Sequence, residues 1–227
     1  MPRMRIIFIS DTHLKHEKLQ LPPGDILIHA GDFSRRGLVQ EAQIFLDWFS
    51  AQPHRYKIFV AGNHDFIAER EPSLFESMIP DNLIYLNDSG CEVEGIKIWG
   101  SPIQPWFFDW AFNRQRGADI RRHWDLIPDD TEILFTHGPP YGILDEVVRD
   151  PRPVGCRDLL HKISELPSVK IHVFGHIHEA YGQQEVGGTL FLNASVLDEN
   201  YDLKNKPFVV ERFAGQYEVV GKVGDFH

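Results

Sequence analysis

Five times along this chain a short run of apolar, mostly β-branched residues breaks off at a side chain able to bind a cation. Residues 5–10 lead to Asp11 and His13, residues 25–30 to Asp32, and residues 57–61 to Asn63, His64 and Asp65. Residues 132–136 lead to His137, and residues 170–174 to His176 and His178. Runs of this kind read as strands buried on both faces, as in α/β folds. Binding sites in such folds form beyond the carboxyl ends of the strands, so donors spread from position 11 to position 178 are expected to meet at one rim. The Asp-x-His and His-x-His pairs are spaced i, i+2, which an extended backbone would direct to the same side.

The chain between these runs fits the same class. Residues 38–49 predict an amphipathic helix with Ile44, Phe45, Trp48 and Phe49 on its apolar face, which completes a β-α-β unit. Shorter strands are expected at 84–86, 92–94 and 96–99, the last two joined in a hairpin at Gly95. Residues 113–124 look helical, and a loop rich in Pro and Asp runs up to Pro153. A further helix over 156–166 stops at Pro167, and strands at 189–193, 208–213 and 217–220 complete the pattern. With 227 residues and 42% hydrophobic composition, the chain can bury roughly 70% of its unfolded surface, which excludes intrinsic disorder. No repeat, low-complexity tract or linker interrupts it. The expectation is a single α/β domain over 1–227, a four-layer α/β/β/α sandwich of two stacked mixed sheets flanked by helices. The order of the strands is not readable.

Net charge of −10 disfavours a free polyanion-binding surface, although bound divalent cations can invert the field inside one cleft. Only two cysteines occur, Cys91 and Cys156, outside any Cys-x-x-Cys pair, which fits a reducing compartment. The N-terminal apolar run is too short for a signal segment and no stretch reaches the length of a membrane span, so a cytoplasmic protein without a membrane partner is expected. The sequons at Asn87 and Asn193 are therefore read as chance. Of the 12 histidines, His16, His29, His54, His123, His161, His172 and His227 lack the strand-end setting and read as structural or surface residues. His29 and His172, inside core strands, are expected to be hydrogen-bonded neutral imidazoles.

The order Asp-x-His, Gly-Asp, Gly-Asn-His-Asp, Thr-His-Gly, Gly-His-x-His resembles the calcineurin-like metallophosphoesterase superfamily over residues 6–210. Within it, residues 24–33, Pro105-Trp106-Phe107, residues 136–140, residues 172–179 and Asn193-Ala194-Ser195 look like the metallophosphoesterase-domain-containing (MPPED) subgroup. The resemblance implies that Asp11, His13 and His178 hold one metal, that Asn63, His137 and His176 hold another, and that Asp32 bridges them. It also implies that His64 stands outside the metal shell near the leaving-group oxygen, with Asp65 as its orienting partner. Some animal members of the subgroup carry Gly where this chain has His176, and its retention here argues for two filled sites.

This donor set suits phosphate-ester hydrolysis. Two cations about 3.5 to 4 Å apart lower the pKa of a shared water from 15.7 towards roughly 7 and neutralise charge on the phosphoryl oxygens, so that a hydroxide is available for attack. Two carboxylates, four neutral imidazoles and the Asn63 amide leave the loaded shell net positive, which attracts an anion despite the acidic chain. The donors are nitrogen and oxygen without thiolate, compatible with Mn²⁺ first and with Fe, Zn²⁺, Co²⁺ or a mixed pair. Asn63, His64 and Arg35 are placed at the substrate; Arg35 and Arg36 also fit a solvated surface pair. The aromatic segment Trp106, Phe107, Phe108, Trp110 and Phe112 fits either stacking on a nucleobase or core packing. The reading is a dinuclear metal-dependent phosphodiesterase for small substrates, cyclic nucleotides and aryl diesters as the resemblance implies, with duplex nucleic acid excluded by the acidic surface. A phosphomonoesterase and a low-turnover nucleotide or metal sensor are the alternatives, and a homo-oligomer is left open.

Overall fold

The computed structural model describes residues 3–148 and 152–222. Its strands are β1 (Met4–Ile9), β2 (Ile26–His29), β3 (Tyr56–Phe59), β4 (Ile84–Tyr85), β5 (Ser89–Val93), β6 (Ile96–Ser101), β7 (Gln104–Pro105), β8 (Asn113–Arg114), β9 (Ile133–Thr136), β10 (Ile171–Phe174), β11 (Gly182–Val186), β12 (Thr189–Asn193), β13 (Phe208–Phe213) and β14 (Gln216–Lys222). The helices are α1 (Val39–Ser50), α2 (Phe66–Arg70), α3 (Pro72–Met78), α4 (Ala118–Trp124) and α5 (Arg157–Ser164). Two six-stranded mixed sheets form, in the orders β14-β13-β1-β2-β3-β4 and β11-β12-β10-β9-β6-β5. β1, β2 and β3 are parallel neighbours in the first, and β6, β9, β10 and β12 run parallel in the second. This is the expected α/β architecture of two mixed sheets with helices outside them.

Alternation along each strand sorts its apolar side chains between two cores. Ile6 and Phe8 of β1, Ile26 and Ile28 of β2, Ile133 and Phe135 of β9 and Ile171 and Val173 of β10 belong to one buried cluster, the layer between the sheets. The intervening Ile7, Ile9, Leu27, Leu134 and Phe174 join a second cluster with the helices. His29 and His172 lie in β2 and β10 as expected: each is fully buried, each Nε2 lies about 3 Å from a threonine hydroxyl (Thr12 at 3.0 Å, Thr136 at 2.9 Å), and burial lowers each pKa to about 3. Both imidazoles are neutral.

Several element readings need correction. In α1 the buried stripe is Ala42, Phe45, Leu46 and Phe49, the i, i+3, i+4, i+7 face, whereas Ile44 is 46% exposed and Trp48 packs at the edge against His16. The helix expected from 113 begins only at Ala118. Asn113 is instead paired with Gln104 across β7 and β8, its side-chain amide donating to the carbonyls of Phe107 and Phe108, and Gly117 at φ +86° separates that bridge from the helix. α2, α3, β7 and β11 were not anticipated. The hairpin at Gly95 is present, with Glu94 and Gly95 both left-handed between paired Val93 and Ile96. Part of the Pro- and Asp-rich loop, and His227, lie outside the described residues. Among the described residues no helix is long and apolar enough to cross a membrane.

Phe45 marks the phase of α1 most clearly, because its ring stacks on Phe33 at 4.4 Å and Phe49 at 5.1 Å and meets His29 at 5.0 Å. Phe45→Ala is expected to cost about 3 to 5 kcal/mol in urea unfolding, against less than about 1 kcal/mol for Ile44→Ala. Equal costs would mean that the helix face has been assigned wrongly.

Candidate active site

The carboxyl ends of β1, β2 and β3 in one sheet and of β9 and β10 in the other open onto the same rim. The two rims are tied by an isolated bridge between Ser10 and Ser195, with Val196 N–H donating to the Ser10 carbonyl at 3.0 Å. Within the first sheet Asp11 N–H donates to the Gly31 carbonyl at 2.9 Å, and within the second Gly175 N–H donates to the His137 carbonyl at 3.0 Å. The donors therefore sit on backbone tied along each sheet, with Ser10 linking the two.

Asp11, His13 and His178 form one group whose ligand atoms all lie within 4.8 Å of one another; Asp32, His137 and His176 form a second. Asp32 joins the two, since its Oδ2 is 3.6 Å from His13 Nε2 and 3.4 Å from His137 Nε2. Asn63 Oδ1 lies 2.8 Å from His137 Nε2, so the amide belongs to the second group. All seven residues expected as ligands are thus brought together, in the partition that the family resemblance implies. The geometric reason given for the i, i+2 pairs was incomplete. Asp11, His13, Asp32 and His176 have φ of 55°, 40°, 58° and 68°, so left-handed turns and not extended backbone aim them, and His176 and His178 face different groups. Such residues cost about 1 to 3 kcal/mol each.

The imidazoles are oriented from behind. Nδ1 of His13 faces the Ser34 carbonyl at 2.8 Å, that of His178 the Asp198 carbonyl at 3.0 Å, and that of His137 the Ala30 carbonyl at 3.0 Å. A carbonyl only accepts, so each Nδ1 carries the proton and each Nε2 is directed into the donor set. His13 Nε2 is buried with no hydrogen-bond partner. A cation would satisfy that lone pair, and the mixed nitrogen and oxygen donors fit divalent transition metals.

The charges support the same assignment. Burial alone would raise the pKa of Asp11, but its contact with His178 at 3.4 Å and the nearby His137 hold it well below the usual carboxylate range. Asp32 is held down likewise, burial being outweighed by His137, His64 and His13. Burial pushes His13 to about 4 and His176 to about 3, leaving both neutral. His137 is the exception: burial acts to lower its pKa, yet the charge and hydrogen bond of Asp32 raise it to about 9. Both its ring nitrogens face acceptors, as an imidazolium requires.

His64 and Asp65 need a different account from the sequence reading. Asp65 does not orient His64. Its carboxylate accepts from the N–H groups of Asp32 (2.9 Å), Ser34 (2.9 Å) and Gly62 (2.7 Å) and from the Ser34 hydroxyl (2.6 Å), locking the Asp32 loop to the β3 turn. Burial, with the Asp32 charge beside it, pushes Asp65 up to about 7 against these bonds. His64 Nδ1 instead lies 2.8 Å from the Arg35 carbonyl, and its ring packs on Trp110 at a tilt of 34°, centroids 4.3 Å apart. It also stands closer to the metal donors than expected, in a group with His13 and Asp32. Arg35 is exposed on the rim, its N–H and that of Arg36 held by Glu41.

The aromatic segment divides between its two readings. Phe112 is core, Trp106 and Phe108 are exposed, and Phe107 and Trp110 flank His176 and His64. Tyr201 was missed altogether. Left-handed at φ 62°, it sets its ring 5.1 Å from that of His13 and 4.9 Å from that of His178. The only signal for it was one aromatic residue within the polar turn of residues 198–202.

A cavity of about 670 Å³ adjoins His176, lined also by Trp106, Phe107, Tyr141 and Arg157. Another, of about 530 Å³, is lined by His13, Arg35, Leu38, His64 and Tyr201.

Comparisons with known proteins show the family. A family model described as calcineurin-like phosphoesterase matches residues 4–180. The chain is 41% identical over 229 residues to metallophosphoesterase domain-containing protein 1 of Homo sapiens, covering 91% of this chain and 70% of that protein. It is 34% identical to a UPF0046 protein of Caenorhabditis elegans, covering 92% and 75%. Among solved structures, the TT1561 protein of Thermus thermophilus superposes with a TM-score of 0.65 at 15% identity, covering 98% of this chain and all of that one, and shares the fold.

Two outcomes are expected. Below about pH 9 His137 carries a proton at the nitrogen that a cation needs, so metal uptake releases protons and apparent Mn²⁺ affinity rises with pH up to that value. Calorimetry in two buffers of different ionisation enthalpy reads the release; identical heats would remove His137 Nε2 from the ligand set. A Cβ at Gly175 would stand 1.9 Å from Asp11 Oδ2, so Gly175→Ala should displace that carboxylate and weaken Mn²⁺ binding by about tenfold or more, measured by the same titration.

Proposed function

Because the chain belongs to the calcineurin-like phosphoesterase family, we propose that it is a dinuclear metal-dependent phosphodiesterase acting on small diesters, cyclic nucleotides and aryl diesters among them. The observation that carries the diester reading is a pair of cavities with no lining residue in common, one reaching His176 and the other His13 and His64, residues that group with Asp32. A phosphate with two ester substituents has a place for each; a monoester would use one.

Asp11, His13 and His178 would hold one cation, Asn63, His137 and His176 the other, and Asp32 both, with Mn²⁺ the first candidate. Bound there, the two cations would lower the pKa of a shared water and neutralise charge on the phosphoryl oxygens. The neutral amide of Asn63 keeps the loaded shell net positive, so that it draws in an anion. His64, with its Nδ1 proton committed to the Arg35 carbonyl, presents Nε2 to the cavity on its side and can donate a proton to a departing ester oxygen. The Arg35 carbonyl, by accepting from Nδ1, fixes the orientation of the ring. Arg35 itself lines the same cavity, where its guanidinium can meet a phosphoryl oxygen. Trp110 behind the ring restricts its rotation. The unpaired thiols of Cys91 and Cys156 support a cytoplasmic setting.

With Mn²⁺ added, kcat/KM for bis-p-nitrophenyl phosphate should exceed that for p-nitrophenyl phosphate by at least about tenfold; the reverse order would make the protein a monoesterase. His64→Ala should lower kcat by about 10²- to 10⁴-fold on diesters with an alkoxide leaving group and by less on nitrophenyl esters. Equal losses on both would mean that His64 does not protonate the leaving group.

A further inference from the structure

The cavity beside His176 is at odds with the charge of the chain around it. In a protein of net charge −10, its described lining holds Arg116, Arg152 and Arg157 and no carboxylate, set among Trp106, Phe107 and Tyr141. Arg116 and Arg157, in a described lining without a carboxylate, raise the local potential, which favours an anion entering from solution.

The arginines differ in what they are doing. Arg116 is spent on the fold, donating to the carbonyls of Val154 and Gly155 at 2.7 Å each. Arg157 has no carboxylate partner among the described residues; its guanidinium lies over the Tyr141 ring, 3.6 Å from the centroid. Stacking of this kind restrains a guanidinium while leaving its N–H donors open, the arrangement suited to a phosphate or carboxylate. Phe107, whose ring is 5.1 Å from that of His176, links the metal donors to this cavity with an apolar surface, and Trp106, 51% exposed, adds another.

We infer that this cavity is a subsite for a flat aromatic substituent bearing an anionic group of its own, the ring packing on Trp106 and Phe107 and the anion meeting Arg157. The inference rests on the phosphodiesterase reading and narrows it. The preferred substrates are diesters whose retained substituent carries a second negative charge. Simple cyclic nucleotides, which have none, are the poorer class.

The test uses the p-nitrophenyl ester of thymidine 5′-phosphate with and without a 3′-phosphate, which share a leaving group. The 3′-phosphorylated ester should have a KM at least tenfold lower. Arg157→Ala should reduce that preference to below twofold, and Arg157→Lys, which keeps the charge and loses the planar fork, should retain part of it. Independently of turnover, thymidine 3′,5′-bisphosphate should bind the full chain in EDTA, measured by calorimetry, and at least fivefold more weakly to Arg157→Ala with an unchanged circular dichroism spectrum. Equal KM values for the two esters, a preference unaltered in both variants, or no bisphosphate binding would overturn the subsite while leaving hydrolysis of the plain ester to support the diesterase reading. Failure to cleave either ester with any metal, together with Arg157-dependent bisphosphate binding, would overturn the diesterase reading and keep the subsite.

Discussion

The layer of side chains between the two sheets holds the site together from a distance. Ile6, Phe8, Ile26 and Ile28 from one sheet and Ile133, Phe135, Ile171 and Val173 from the other form one buried cluster. Close packing of that kind leaves little freedom for one sheet to slide on the other. Asp11, Asp32 and Asn63 follow strands of the first sheet, and His137 and His176 follow strands of the second, so the spacing of the donor set is fixed by an apolar contact that touches none of them. The link from Val196 to Ser10 between the sheets, and that from Asp11 to Gly31 within the first, make that placement local.

Around the donors, the polar architecture acts in two shells. Asp11 and Asp32 supply charge, and the buried imidazoles opposite them keep those carboxylates ionised against desolvation. Behind them, the carbonyls of Ala30, Ser34 and Asp198 turn three histidines by their Nδ1 protons, and Asp65 anchors the loop from which two of those features arise. Removing charge from the inner group and removing a hydrogen bond from the outer one are different perturbations. The first alters affinity for cations directly, and the second loosens the aim of the ligands.

The strands and the gathering of the seven expected donors at one rim were legible because burial on both faces leaves an unbroken apolar run, and a polar side chain straight after such a run has only the rim to occupy. What was illegible depends on contacts distant in sequence. The face of α1 was misread because Ile44 and Trp48 are as hydrophobic as Ala42 and Leu46, and only the neighbouring sheet and loop decide which pair is covered. The helix assigned from 113 was overruled by Asn113 bonding to Phe107 and Phe108. Asp65 follows His64 directly, which suggested a pair, whereas its carboxylate turns back to Ser34 and Gly62, about thirty and three residues away. Nothing in the neighbourhood of Tyr201 announces that its turn returns to His13.

The left-handed backbone at His176 sets fold and ligation against each other. A residue with a Cβ is strained there at φ 68°, and glycine would not be. Exchange of His176 for glycine would thus remove one donor of the second group while relieving the backbone, so the loss of a cation donor would come with a gain in stability. Keeping histidine there runs uphill for the polypeptide, the donor being held at the expense of a backbone strain that glycine would shed.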